Sequence, residues 1–99
     1  MRIAVAVNEF GKISSHLGKA TIFFIFTLEK SKAIFVEKRD VEGNFTNHII
    51  DDIKDCCYVI SSKIGEGMKE NLIKMGIIPI VEIFTDNPKE AVEKIKGGD

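Results

Sequence analysis

Arg2 is followed by five consecutive apolar residues, Ile3-Ala4-Val5-Ala6-Val7. In an extended strand, side chains alternate between faces. Ile3, Val5 and Val7 would therefore line one face, and Ala4 and Ala6 the other. A strand that is apolar on both faces must be covered on both, which is the pattern of a central strand in a sheet flanked by helices. Cys57 to Ser61 repeats the pattern. Two such strands in one short chain point to an α/β architecture.

The remaining segments fit around these two strands. Thr21 to Leu28 is a β-branched and aromatic run, and Ala33 to Lys38 alternates. With Glu29-Lys30-Ser31-Lys32 between them, they read as a hairpin. Phe45, Ile49 and Ile53 recur at helical spacing, which predicts a first helix over Asn44 to Asp55 with Asp51 and Asp52 on its outer face. A second helix follows Gly67, with Met68, Leu72 and Met75 on one stripe and Gly76 at its C′ position. Ile77 to Phe84 reads as a fifth strand, and Pro79 should place it at an edge or a bulge. Asn87, Pro88 and Glu90 have the spacing of a capping box that opens a last helix, with Ala91, Val92 and Ile95 inward and Gly97-Gly98 at its end. The order βββαβαβα predicts a mixed five-stranded sheet between two helical layers, with β4–α–β5 as a right-handed parallel crossover.

Composition narrows the class. With 99 residues, the chain is expected to form one domain, 1–99. It should bury roughly 65% of its unfolded surface, enough for a core without disulfides. A formal net charge of −1 argues against binding nucleic acid through a broad positive surface. No apolar stretch approaches the ~20 residues of a membrane helix. Ile3 to Val7 is also too short for the apolar region of a signal peptide. Cys56 and Cys57 are adjacent and are read as reduced thiols, which places the protein in the cytoplasm.

The candidate site comes from the two loops that follow the apolar strands. Asn8 to Lys19 is long, polar and aperiodic, and it contains Ser14-Ser15-His16-Leu17-Gly18-Lys19. Ser61 to Gly67 leads into a helix N-terminus through Gly65 and Gly67. If the first and fourth strands are parallel neighbours, both loops open on one crevice at the strand carboxyl ends, where α/β sheets commonly bind ligands. Free amides and the helix dipole there suit an anion, glycines allow close approach, and a neutral imidazole can ligate a metal. The plainer reading is a solvent-exposed His16 beside an ordinary turn. Cys56 and Cys57 lie at the opposite strand ends and are read as structural, His48 as a surface residue, and Phe23, Phe24, Phe26 and Phe35 as packing. A nuclease is disfavoured because the first strand carries no acid for a metal pair.

These same residues carry a family resemblance. Ser15-His16-Leu17-Gly18-Lys19-Ala20 is similar to an S-x-H-F-G-x-A signature, with Leu17 in place of the aromatic. Val59-Ile60-Ser61-Ser62-Lys63-Ile64-Gly65-Glu66-Gly67 is similar to a VVI…GxGxGA segment, and the match continues through Asn71-Leu72, Gly76-Ile77 and Glu90-Ala91-Val92. The chain resembles the dinitrogenase iron–molybdenum cofactor biosynthesis family, which includes NifX, NafY and the C-terminal domain of NifB. The resemblance implies a ribonuclease H-like fold without nuclease activity. It also implies a small non-enzymatic carrier for an iron–sulfur or iron–molybdenum type cluster or its precursor, with cofactor-assembly proteins as partners. It places the metal-ligating histidine at His16 and the cofactor-binding residues at Ser15, His16, Gly18, Gly65 and Gly67. The glycine- and histidine-rich run that many members carry before the first helix is replaced by Glu42-Gly43-Asn44-Phe45-Thr46-Asn47-His48. The residues themselves leave two other readings: a cofactor-free interaction or regulatory module, as monomer or homodimer, and a small-anion binder using the same crevice.

Overall fold

The structure, a computed structural model, describes residues 1–13, 16–41 and 51–95. Five strands, β1 (Arg2–Val7), β2 (Ile22–Glu29), β3 (Lys32–Asp40), β4 (Tyr58–Ser61) and β5 (Ile78–Val81), form one sheet in the order β3-β2-β1-β4-β5. β1 is the middle strand, as its two apolar faces require. It pairs antiparallel with β2 and parallel with β4, and β4 pairs parallel with β5. Helices α1 (Glu66–Lys74) and α2 (Pro88–Glu93) and a 3-10 turn at Leu17–Lys19 complete the described elements. Of the helix expected over 44–55, residues 51–52 are helical and run into a turn at 53–55. The rest of it, His48 included, and the end of the last helix at Gly97-Gly98 lie outside the described residues.

The alternation in β1 sorts the core into two clusters. Ala4 and Ala6 join Phe23, Ile25, Val59, Met68 and Leu72 on one face, with Ile53 and Cys56. Ile3, Val5 and Val7 join Phe26, Ile60, Ala91 and Val92 on the other. α1 thus covers one face and α2 the other, giving the three layers expected.

Local chemistry explains the element ends. Gly76 takes φ +81°, and α1 closes as a Schellman motif: Ile77 N–H donates to the Leu72 carbonyl and Gly76 N–H to that of Ile73. The hairpin turns through Lys30 and Ser31, both at positive φ (49° and 68°), the hand that matches the strand twist. Between Ile25 and Phe26 the β2–β3 register shifts, leaving Val36 without an opposite residue.

Three expectations need correction. β5 ends at Val81 rather than Phe84, because β4 stops at Ser61 and offers no further ladder partner. Ile83 and Phe84 are exposed instead. Met75 is 48% exposed, because it is the C-cap of α1 and has left the stripe of Met68 and Leu72. The capping box at α2 is relayed. Asn87 Oδ1 accepts from Glu90 N–H, but the Glu90 carboxylate accepts from Thr85 Oγ1, which in turn accepts from Asn87 N–H.

Candidate functional site

The carboxyl ends of β1, β4 and β5 lie side by side, so the loops that follow them share one end of the sheet. Leu17 N–H donates to the Lys63 carbonyl at 2.9 Å. That bond ties the His16 loop to the Ser61–Gly67 loop, and Leu17 and Ile64 are both buried in the core cluster beneath it. The two loops expected at this end of the sheet are therefore in contact. Lys19 and Lys63 are exposed on them. Ser14 and Ser15 lie outside the described residues.

His16 is half-buried and caps the 3-10 turn. Its Nδ1 accepts from Gly18 N–H at 2.9 Å, the geometry of an N-cap side chain satisfying an otherwise unpaired first-turn amide. Gly18 packs closely under this ring: a Cβ built on it would lie 3.0 Å from His16 Cε1 and 3.2 Å from Nδ1, so the imidazole would have to shift by a few tenths of an ångström.

Gly65 and Gly67 differ from Gly18. Gly65 is the N-cap of α1 at an ordinary extended φ of −67°, and no side chain caps this helix. Neither glycine would bring a Cβ within 4 Å of any other group. Within the described structure, neither position demands glycine for backbone strain or for packing. Gly65, Glu66 and Gly67 are exposed, and Glu66 is paired to Lys69 at 3.6 Å.

A cavity of about 390 Å³ opens beside the two loops, between Ile13, Ser62 and the 82–86 segment. Its floor holds Glu82, a charged side chain that is only 7% exposed. Glu82 Oε2 accepts from Phe84 N–H at 2.9 Å and from Lys94 Nζ at 3.1 Å. Burial pushes this carboxyl up, but the Phe84 amide and the Lys94 ammonium outweigh burial and hold it below its usual value. Glu82 thus pins the loop that carries Phe84, which is 86% exposed. With Glu82 and Asp86 on its wall, the cavity suits an anion less well than the α1 amides do. One acid within an apolar run gives no sequence signal of this role.

On the edge strand β3, Arg39 joins Asp55 through a bidentate pair at 2.6 and 2.8 Å, and also Glu37 and the Asp52 carbonyl. The Arg39 hydrogen bonds hold the Asp55 carboxyl down at about 2. Cys56 is buried, and burial followed by the neighbouring Asp55 charge pushes its thiol up to about 12. Cys57 is exposed. β4 separates both cysteines from the two loops, so they are not brought to His16. Among the described residues, no three His, Cys, Asp or Glu side chains form a group able to hold a metal ion. No described helix is long and apolar enough to cross a membrane.

Comparison with known proteins bears on the family and the fold. The family model described as dinitrogenase iron-molybdenum cofactor matches residues 1–98. The chain is 39% identical over 87 residues to the FeMo cofactor biosynthesis protein NifB of Bradyrhizobium diazoefficiens, covering 79% of this chain and 17% of that protein. It is 33% identical over 94 residues to NifB of Frankia alni, covering 83% and 18%. The chain thus spans less than a fifth of these relatives' length. Among solved structures, PH0822 superposes with a TM-score of 0.81 at 22% identity, covering 100% of this chain and 93% of that one. A Methanocaldococcus jannaschii protein superposes with a TM-score of 0.67 at 17% identity, covering 94% and 85%. At these identities the structural likeness bears on the fold alone.

Proposed function

We propose, from the premise that this chain belongs to the dinitrogenase iron–molybdenum cofactor family, that it is a non-enzymatic carrier whose cargo is an anionic iron–sulfur-based cluster or its precursor. The family places the chain in cofactor handling. The observation that carries the finer reading is the 2.9 Å bond from Leu17 N–H to the Lys63 carbonyl. It joins the loop that carries His16 to the loop that leads into the uncapped amino end of α1, which supports a shared site.

In this reading the α1 amides and helix dipole receive the anionic face of the cargo. Gly65 and Gly67 keep that approach open, Gly18 belongs to the same loop as His16, Ser15 precedes it in the sequence, and His16 contributes its imidazole. Lys19 and Lys63 add local positive charge to a chain of net charge −1. The described residues provide too few ligands to enclose a cluster. The carrier therefore presents an open seat, from which an assembly partner takes the cargo. We place this activity in the cytoplasm and take 1–99 as one domain, since both core clusters pack on the same sheet.

Anaerobic titration with a synthetic iron–sulfur cluster, read by ultraviolet–visible and EPR spectra, tests the proposal. Wild type is expected to retain the cluster, and His16→Ala to retain it at least tenfold more weakly. Gly65→Asp caps α1 with its own carboxylate, so it should abolish uptake while raising helix stability by roughly a few tenths of a kcal/mol, the gain of a side-chain cap over glycine. No uptake by wild type would instead favour a cofactor-free interaction module. The exposed Ile34, Phe35 and Val36 on the edge strand β3 support that second reading.

A further inference from the structure

A second cavity lies at the β2–β3 hairpin, away from the loops of the cargo site. β1 pairs Arg2 with Thr27 and Val7 with Ile22. The hairpin turn therefore sits beside the amino end of β1, while the His16 loop follows its carboxyl end. The cavity measures about 640 Å³ and is lined by Glu29, Lys30, Lys32, Ala33, Ile34 and Lys89. That size is ordinary for a small-molecule site. Three ammonium groups face one carboxylate there, a local charge of +2 in a chain whose net charge is −1. Among the described residues, Lys30, Lys32 and Lys89 form no ion pair, whereas Lys38, Lys69 and Lys94 each do.

Lys30 stands where the backbone favours other residues. The turn between β2 and β3 is Lys30-Ser31, and both residues are left-handed, at φ 49° and 68°. Asn and Gly are the usual occupants of such a turn, because a longer side chain is strained there. Lysine in that conformation keeps a cationic side chain on the cavity wall, where neither Asn nor Gly supplies a charge. The rest of the wall is fixed by Glu93, whose Oε2 accepts from Ala33 N–H at 2.9 Å. That bond ties α2, which carries Lys89, to β3, which carries Lys32. It also occupies the Ala33 amide, and β3 bulges at Val36, so an extended peptide finds no continuous row of partners along this edge.

We propose that this cavity binds an organic polyphosphate of nucleotide size, with its phosphates on Lys30, Lys32 and Lys89 and its apolar part on Ala33 and Ile34. Lysine is a compact point charge with three donors, which suits a tetrahedral phosphate. A planar carboxylate is better matched by the arginine fork, and no arginine is among the described lining residues. Three cations against one acid call for a ligand with more than one negative charge. A bare phosphate would meet the charges and leave Ala33 and Ile34 without contact. The site stands apart from the carrier reading and does not depend on it.

The test uses ATP as the probe, with the intact chain in magnesium-free buffer. Titration calorimetry should show saturable binding with a dissociation constant below about 1 mM at low salt, weakening as added salt screens the lysines. Amide NMR shifts should concentrate on residues 29–34 and 89. Shifts concentrated on the His16 and Gly65 loops would assign the nucleotide to the other end of the sheet and overturn the proposal. Pyrophosphate, which lacks the apolar part, and citrate, which lacks phosphate, should each bind more weakly by about fivefold or more. Equal affinity for either one overturns the assignment to an organic phosphate. Lys30→Asn, Lys32→Gln and Lys89→Gln should each weaken ATP by about threefold to fivefold, the upper range for an exposed ion pair. Lys30→Asn separates binding from folding, because asparagine relieves the turn: its thermal midpoint should hold or rise while affinity falls. ATP affinity unchanged in all three variants, or no binding by wild type, overturns the proposal.

Discussion

Gly67→Ala separates a glycine kept for the fold from one kept for a ligand. Gly67 occupies the second position of α1, and a Cβ there meets nothing within 4 Å. Alanine at a helical position is favoured over glycine by up to ~1 kcal/mol, largely through the entropy of the unfolded chain. The first turn is only partly constrained, so a gain of about 0.5 kcal/mol is expected. For a domain of this size that raises the midpoint of thermal unfolding by roughly 2–4 °C. Gly76 is the control. It also has open space, but its φ is +81°. An alanine there costs about 1–2 kcal/mol, because a left-handed residue with a Cβ is strained. The Cα–Cβ bond of a helical residue leans toward the helix N-terminus. The methyl of Gly67→Ala therefore projects toward the amides where an anion would sit, and affinity for the cluster should fall about tenfold, the equivalent of ~1.4 kcal/mol. Thermal melts by circular dichroism and anaerobic cluster titration measure both quantities on one preparation. Gly67→Ala that destabilises the protein would reveal an intrachain need for glycine and refute the packing argument. Gly67→Ala that binds like wild type would remove the α1 amides from the site.

Other outcomes follow from the Arg39–Asp55 pair, the two cysteines and the hairpin. Asp55 is held at about 2 against an ordinary 3.8, with the Arg39 hydrogen bonds as the main cause. Its folded value is depressed, so the stability it contributes is present above about pH 4 and is lost as pH falls through 2. The shift sets a ceiling near ~2.5 kcal/mol. Because the side chain is 46% exposed, solvent screening reduces this to about 1 kcal/mol. Urea unfolding of Asp55→Asn should show that loss at neutral pH and a flatter profile between about pH 4 and 2; an unchanged profile would assign the acid sensitivity elsewhere. Iodoacetamide should label Cys57 in the native protein and reach Cys56 only on unfolding, since a buried thiol pushed up to about 12 carries almost no thiolate. Equal native labelling, read by mass spectrometry, would contradict the burial of Cys56. Replacing Lys30-Ser31 with Asn-Gly relieves two residues at positive φ and should stabilise the hairpin by about 1 kcal/mol in chemical denaturation. A loss of stability would mean that one of these side chains has a role in the native turn.

Much of this architecture was legible before any coordinates. Ile3 to Val7 could only be a central strand, since no other placement covers both apolar faces, and β1 is central. Gly76 and Asn87 mark helix ends through backbone chemistry that needs no distant partner, and both occupy the positions their residue types predict. The family is legible as a resemblance to its motifs, in Ser15–Ala20 and Val59–Gly67 above all. Where sequence reading went astray, the deciding partner lay elsewhere in the chain. Ile83 and Phe84 continue an apolar run, yet leave the sheet because β4 ends first. Glu90 has the capping-box spacing, but Thr85 intercepts its carboxylate.

The candidate site divides in the same way. Local pattern marked the residues, because a polar loop after an apolar strand and a glycine pair before a helix are properties of contiguous chain. Pairwise geometry decided what they can do. Only the parallel β1–β4 register brings Leu17 to the Lys63 carbonyl. Only the fold of the 3-10 turn puts Gly18 N–H on His16 Nδ1. A sequence specifies which groups are present and where along the chain they recur. The direction of a lone pair depends on a neighbour's hydrogen atom, and folding the chain supplies that neighbour.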